Sequence, residues 1–248
     1  MRKAMSKKVV ALVVAATIMS TTVVPAVEIK KDESVFVNLS SDGKLEKSTV
    51  SNWIHSSESN LEVKDKSSLS DIKNVKSILF NSQEAAYLVG LIAGKMTETN
   101  NVGFIGGMDI PVIDTFKYGY MAGVKKANSN VQIQDQFANS FTDQAKGKAI
   151  ANQMYGQGAD IIFIAGGDVG TGAIEAAKEK NKYAIGVDRD QSDLAPENVL
   201  TSAIKRVDAG VFETVKSYVN GTFEGGTTTT YGLEENAVGV PDTTKNLV

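Results

Sequence analysis

From Asn74 onward the chain repeats one pattern: a short apolar strand, a glycine-rich break, then an amphipathic helix. Its clearest strands are Val102-Gly103-Phe104-Ile105-Gly106-Gly107, Ile161-Ile162-Phe163-Ile164-Ala165-Gly166-Gly167 and Ala184-Ile185-Gly186-Val187-Asp188. Strands that alternate with helices bury both faces of a parallel sheet, so the fold class is α/β. Such a sheet displays its working loops at the carboxyl ends of its strands, where ligands bind. That edge here carries glycines, one acid and one lysine, without catalytic machinery. The pattern predicts a small-molecule binder and no enzyme.

Composition narrows the choice further. A net charge of -3 gives no electrostatic footprint for nucleic acid. The absence of cysteine excludes disulfides, thiolate metal sites and cysteine nucleophiles, and it also excludes an N-terminal lipidated cysteine. His55 is the single histidine, which leaves almost no room for Ser-His or multi-histidine metal chemistry. No cofactor and no metal are expected. A length of 248 residues suits one large or two modest domains.

Three segments differ in character. Residues 1–26 have the anatomy of a signal peptide: Arg2, Lys3, Lys7 and Lys8, then the apolar run Val9 to Met19, then Val24-Pro25-Ala26 as a cleavage signal. An uncleaved N-terminal anchor is the other reading, although the run is shorter than the ~20 residues of a spanning helix. Residues 27–76 read as a hairpin and a polar linker. Val35 to Leu39 has strand residues, Asp42-Gly43 is a favoured turn pair, and Leu45 to Trp53 could return. Ser56 to Lys76 has too few apolar residues to fix a core. Trp53 and His55 could mark a site, or Trp53 could simply cap the hairpin.

Residues 77–248 carry the α/β pattern. Helices are expected over Ser82–Thr97 (with Ser82 as N-cap), Val112–Ala127 behind Pro111, Asp143–Tyr155, Thr171–Lys180 and Val207–Val219, the last stopped by Gly221. Strands are expected over Val102–Ile105, Val131–Ala138, Asp160–Ala165, Tyr183–Asp188, Val199–Ile204 and, at an edge, Thr227–Tyr231. The tail from Glu234 is polar and reads as fading out.

Several motifs fail on inspection. Gly90 to Lys95 has three residues between its glycines where a phosphate loop needs four, and Met96 stands where that loop needs a hydroxyl. Helix packing accounts for Gly90 and Gly94 better. Gly167, Gly170 and Gly172 are in the wrong order for a dinucleotide fingerprint. Asp188, Asp190 and Asp193 lack the glycine and the final glutamate of a calcium loop.

What remains is a set of positions at strand ends. Asp188 could accept hydrogen bonds from two neighbouring sugar hydroxyls, at about 1.5–3 kcal/mol per charged bond, or it could be a turn aspartate. Lys205 could donate to the same hydroxyls and balance Asp188, or it could be a solvated lysine. Gly166 and Gly167 permit close approach of a ligand to the backbone, or make a tight turn. Phe141, after another strand at the same edge, could stack on a flat ring or pack into the core.

Taken in order, Asn81 to Gly90, Asn101 to Met108, Ser140-Phe141-Thr142-Asp143, Gly186 to Gln191 and Leu200 to Arg206 resemble the BMP (basic membrane protein), PnrA-like family, the nucleoside-binding lipoproteins of ABC importers. The resemblance covers about residues 74–240. It implies a type I periplasmic-binding-protein fold, a parallel sheet sandwiched by helices in each of two hinged lobes, with the first lobe incomplete here. It implies that Asp188 and Lys205 bind ribose hydroxyls, that Gly166 and Gly167 line the pocket, and that Phe141 stacks on the base. Purine or related nucleosides are the implied ligands, and an ABC permease in the membrane is the implied partner. Nucleic acid is not an expected partner. Residues 27–76 do not match the family's first lobe, and no lipobox cysteine is present. The expected place is the outer face of the plasma membrane, with weak or absent binding by the isolated monomer. A surface module that keeps the α/β body as a scaffold without ligand is the alternative. A nucleotide-using enzyme on a Rossmann-like sheet is opposed by the failed phosphate motifs.

Overall fold

The computed structural model describes residues 11–13 and 73–248. The hairpin, Trp53, His55 and nearly all of the leader and linker lie outside the described residues. The chain divides into two compact units. Among the described residues one comprises 11–13, 73–79 and 208–230, and the other 80–207 and 231–248.

The larger unit is built on a six-stranded sheet of order β4-β3-β5-β6-β7-β9. Its strands are β3 (Asn101–Gly106), β4 (Gln132–Phe137), β5 (Ile161–Ala165), β6 (Tyr183–Asp188), β7 (Val199–Lys205) and β9 (Val238–Gly239). The first five run parallel, and β9 closes the edge antiparallel to β7 with Lys205 opposite Val238. The helices are α1 (Ser82–Met96), α2 (Pro111–Ala127), α3 (Gln144–Gly156) and α4 (Asp168–Lys180). The pleat sends alternate side chains to opposite faces. Phe104, Ile161, Phe163 and Ile185 pack with α1 and α2, whereas Ile105, Ile162 and Ile164 pack with α3 and α4. Phe104 and Phe163 meet edge-on, with ring centroids 5.7 Å apart.

Helices α1 and α2 approach until backbones nearly touch. A Cβ on Gly90 would lie 2.3 Å from the carbonyl oxygen of Tyr120, and one on Gly123 would lie within reach of the Tyr87 carbonyl. Gly90 and Gly94 therefore serve helix packing, as their failure as a phosphate loop suggests.

In the larger unit three departures from expectation exceed a shift of a residue or so at an element's end or change a residue's role. Ser82 is the first helical residue and is buried, while Asn81 occupies the N-cap and its side chain donates to Glu84. Helix α4 begins at Asp168, three residues before the expected Thr171, because Gly167 at φ +60° turns the chain straight into it. Gly170 and Gly172 thus lie within a helix. The tail does not fade out: Ala237 and Val238 are buried, and a 3₁₀ turn over Asp242–Asn246 follows β9.

The smaller unit holds a sheet of order β1-β2-β8, made of β1 (Ala11–Val13), β2 (Val75–Phe80) and β8 (Thr227–Tyr231). β8 lies at one end of the sheet, as an edge strand should. β2 starts at Val75, inside the segment read as linker, and β1 falls inside the apolar run read as a leader and pairs in parallel with β2. An apolar triplet such as Ala-Leu-Val suits strand pairing as well as a leader. Helix α5 (Val207–Val219) matches its expected bounds.

Candidate functional site

Parallel strands bring their carboxyl ends to one edge, and the order β4-β3-β5-β6-β7 sets the sequence of groups along it. Phe141 follows β4, Gly107 follows β3, Gly166 and Gly167 follow β5, Asp188 ends β6, and Lys205 ends β7. All five expected residues, Phe141, Gly166, Gly167, Asp188 and Lys205, therefore share this edge. Asp109, exposed two residues beyond Gly107, adds a second acid that sequence reading did not single out.

At the β4–β5 end glycines bring the backbone to the edge. A Cβ on Gly107 would overlap the Phe141 ring, at 2.2 Å from Cδ1, so the ring rests against that glycine. Phe141 is half-buried and packs on the core beneath α1 and α2, the second of the two fates open to it. Its carbonyl accepts the Asp168 N–H at 2.8 Å, which ties it to the start of α4. Gly167 needs its missing side chain, since its φ of +60° with ψ -130° is foreign to L-residues.

At the β6–β7 end lies an ion pair. Lys205 Nζ sits 2.8 Å from Asp188 Oδ1, and the lysine side chain is 5% exposed against 28% for the aspartate. The ammonium also lies 5.9 Å from the Phe116 ring centroid. Lys205 is thus no solvated lysine. Asp188 Oδ1 is buried, and no hydrogen bond of acceptable geometry reaches it, so charge proximity alone joins it to Lys205. The Asp188 backbone is strained: φ is +66°, and the Arg189 N–H donates to the Val187 carbonyl at 2.8 Å, closing a γ-turn of the rare positive-φ kind.

Behind this turn is a brace that the residue-by-residue reading missed. Gln191 is buried, and its Oε1 accepts the Val187 N–H at 2.8 Å while its own N–H donates to Ser202 Oγ at 3.1 Å. Asp190 accepts from the Ser192 N–H at 3.0 Å and from Thr243 Oγ1 at 2.7 Å. Burial works to raise the Asp190 pKa, but the hydrogen bonds from Ser192 and Thr243, with Arg189 nearby, outweigh it and hold the carboxyl below its ordinary value. Thr244 meets Thr201 of β7 at 2.7 Å. The one sequence signal for this brace was Gly186, since a glycine inside a strand often marks close approach of another group.

Two shallow depressions of about 340 Å³ lie elsewhere, one lined by Tyr87, Leu88 and Leu233, the other by Arg206, Val238 and Asp242. Neither includes any of the five expected residues. Among the described residues no cluster of His, Asp or Glu could hold a metal, and no helix is long and apolar enough to cross a membrane.

A family model described as "ABC transporter substrate-binding protein PnrA-like" matches residues 34–248. It reaches back across most of residues 27–76, the segment expected to lie outside the resemblance. Basic membrane protein D of Borreliella burgdorferi (strain JD1) is 46% identical over 171 residues, 68% of this chain and 50% of the relative. The CD4+ T-cell-stimulating antigen of Listeria monocytogenes is 44% identical over 195 residues, 72% of this chain and 55% of the relative. The chain thus spans about half the length of the curated relatives it matches. Among solved structures, an ABC transporter solute-binding protein from Aeropyrum pernix K1 aligns with a TM-score of 0.64 at 32% identity, covering 71% of this chain and 51% of that one. A periplasmic ribose ABC transporter protein from Conexibacter woesei, at 14% identity and a TM-score of 0.53, shares the fold.

Proposed function

Because this chain belongs to the PnrA-like family of ABC transporter substrate-binding proteins, we propose that its strand-end edge binds the ribose of a purine or related nucleoside and passes the ligand to an ABC permease outside the cytoplasm. The single observation that carries the reading is the Asp188–Lys205 pair at 2.8 Å, held at the ends of adjacent parallel strands. A carboxylate beside an ammonium matches a vicinal diol: the carboxylate accepts from hydroxyls and the ammonium donates to their oxygens. Each charged bond contributes about 1.5–3 kcal/mol. Gly166 and Gly167 bring backbone without side chains beside them, and the Phe141 ring, which covers Gly107, offers a flat apolar face for a base. No bond is made or broken in this role.

A solute pocket normally buries about 70–90% of its ligand. The edge described above supplies one wall, so affinity in the isolated monomer is expected to be weaker than micromolar. The competing reading, a surface module without ligand, draws on the same pair, since Asp188 and Lys205 neutralise each other with no sugar present.

Calorimetry and thermal shift with ribonucleosides and their 2′,3′-dideoxy analogues at millimolar concentration separate the two. Under the binding reading the ribonucleosides bind at least about tenfold more tightly than the dideoxy analogues, and Asp188→Asn removes that preference. Asparagine keeps the size and an acceptor of the aspartate but also removes the counter-charge of the buried Lys205 ammonium, so the stability of the ligand-free variant is measured beside its binding. Equal binding of both nucleoside types would refute the diol role of the pair, and no response to either would favour the ligand-free module.

A further inference from the structure

We propose that Gln191 is the positioning residue of the Asp188 site. Its side chain holds the strained γ-turn that presents the carboxylate, while its backbone N–H is anchored on Ser202 Oγ and the C-terminal 3₁₀ turn backs the loop. The proposal rests on the nucleoside reading for its ligand but not for its geometry.

The Asp188 carboxylate needs such a brace. It touches Lys205 Nζ at 2.8 Å without hydrogen-bond alignment, so the lysine supplies charge and little orientation. Its backbone at φ +66° lies in a region that L-residues other than Asn and Asp rarely occupy. Such outliers persist only where surrounding structure over-determines them.

Gln191 supplies that constraint. Its Oε1 reaches back to accept the Val187 N–H at 2.8 Å, closing a ring from residue 187 to 191 with Asp188 inside it. The ring is anchored to the neighbouring strand by the Gln191 N–H on Ser202 Oγ, and Ser202 is fully buried in β7. Gly186 makes room for it: a Cβ there would fall 2.5 Å from Gln191 Oε1 and 2.6 Å from Ser202 Oγ. On the far side of the turn, Asp190 is held by Thr243, and Thr244 holds the same 3₁₀ segment to Thr201. The residue type is restrictive. Leucine has no acceptor, asparagine is one methylene short, and only glutamate keeps both reach and acceptor.

The test uses the full chain with Gln191→Leu, the conservative Gln191→Glu and the milder Ser202→Ala, each checked for retained secondary structure by circular dichroism. Two readouts are taken. The first is the affinity for a purine ribonucleoside and for its 2′,3′-dideoxy analogue. The second needs no ligand: the rate at which an amine-acylating reagent labels Lys205, followed by mass spectrometry. Gln191→Leu is expected to weaken the ribonucleoside about tenfold, the loss of one good hydrogen bond, and to leave the dideoxy analogue unchanged. It should also speed Lys205 labelling several-fold, as the carboxylate swings away. Gln191→Glu should restore both values, and Ser202→Ala should move both in the same direction by less.

An unchanged affinity ratio together with unchanged Lys205 labelling in Gln191→Leu and Ser202→Ala would overturn the proposal. If the unmutated chain binds no nucleoside, the ligand reading fails, and Lys205 labelling by itself still decides the brace. A variant that loses secondary structure is set aside and Ser202→Ala then decides.

Discussion

The two units answer the same sequence signal in opposite ways. In the six-stranded unit, helices α1 to α4 turn apolar stripes toward the sheet, and Phe104, Phe116, Tyr120 and Phe163 are fully buried. In the smaller unit, α5 has an equally clear apolar periodicity, yet its buried residues are Gly210 and Thr214. Its large side chains face outward: Phe212 is 64% exposed, Val215 52% and Val219 76%. Thr214 even spends its hydroxyl on the Gly210 carbonyl of its own helix. An amphipathic pattern thus records that a helix is suited to burial, and packing decides which face is used.

The contrast can be broken most forcefully at Phe163. Truncating this ring to alanine empties the centre of the aromatic cluster that joins β5 to β3 and α2, and should cost about 3–5 kcal/mol in chemical denaturation. Phe212→Ser on α5 should by contrast stay within about 0.5 kcal/mol, since little packing is lost at an exposed site. It should also lower binding of an apolar dye, and a Phe212→Ser penalty as large as that of Phe163→Ala would abolish the distinction between the units.

The smallest effect concerns pH. The Asp190 carboxyl is held below its ordinary value in the folded chain, so its contribution is present above the unfolded pKa of ~4 and is lost as pH falls through the folded value. Acid titration of Thr243→Val, which removes one hydroxyl from Asp190, should show a shallower loss of stability below about pH 4 than the unmutated chain. The pairs on α5, such as Lys216–Glu213 at 3.1 Å, are exposed and should add little to that slope.

Much of the large unit was legible. Tyr183–Asp188 and Val207–Val219 match to the residue, and the central strands differ by a residue or so at their ends. Those strands are apolar on both faces, which few alternatives to a covered parallel sheet can satisfy. The tail was not legible, because Ala237 and Val238 are two apolar residues in a polar stretch. Their burial depends on the open edge of β7, which no local window reveals. The start of α4 was missed for a related reason. Glycine counts against a helix by propensity, whereas a Cβ on Gly172 would collide with the Gln144 carbonyl, so the site demands glycine.

The candidate site divides in the same way. Local sequence was enough to put Asp188 and Lys205 at the ends of strands, because β-branched and apolar runs stop there. That they lie on neighbouring strands 2.8 Å apart follows from the order β6-β7. Nothing in sequence spacing measures that distance, since 17 intervening steps of chain can close in many ways. Sequence by itself determined the α/β class, the placement of Asp188 and Lys205 at strand ends and, through its motifs, the family. Only the tertiary structure decided that Gln191 folds back on Val187, that Thr243 reaches Asp190, and that α5 turns its apolar face outward. Each of these is a contact between groups whose partners are chosen by packing in space, where hydrogen bonds and excluded volume act without regard to position along the chain.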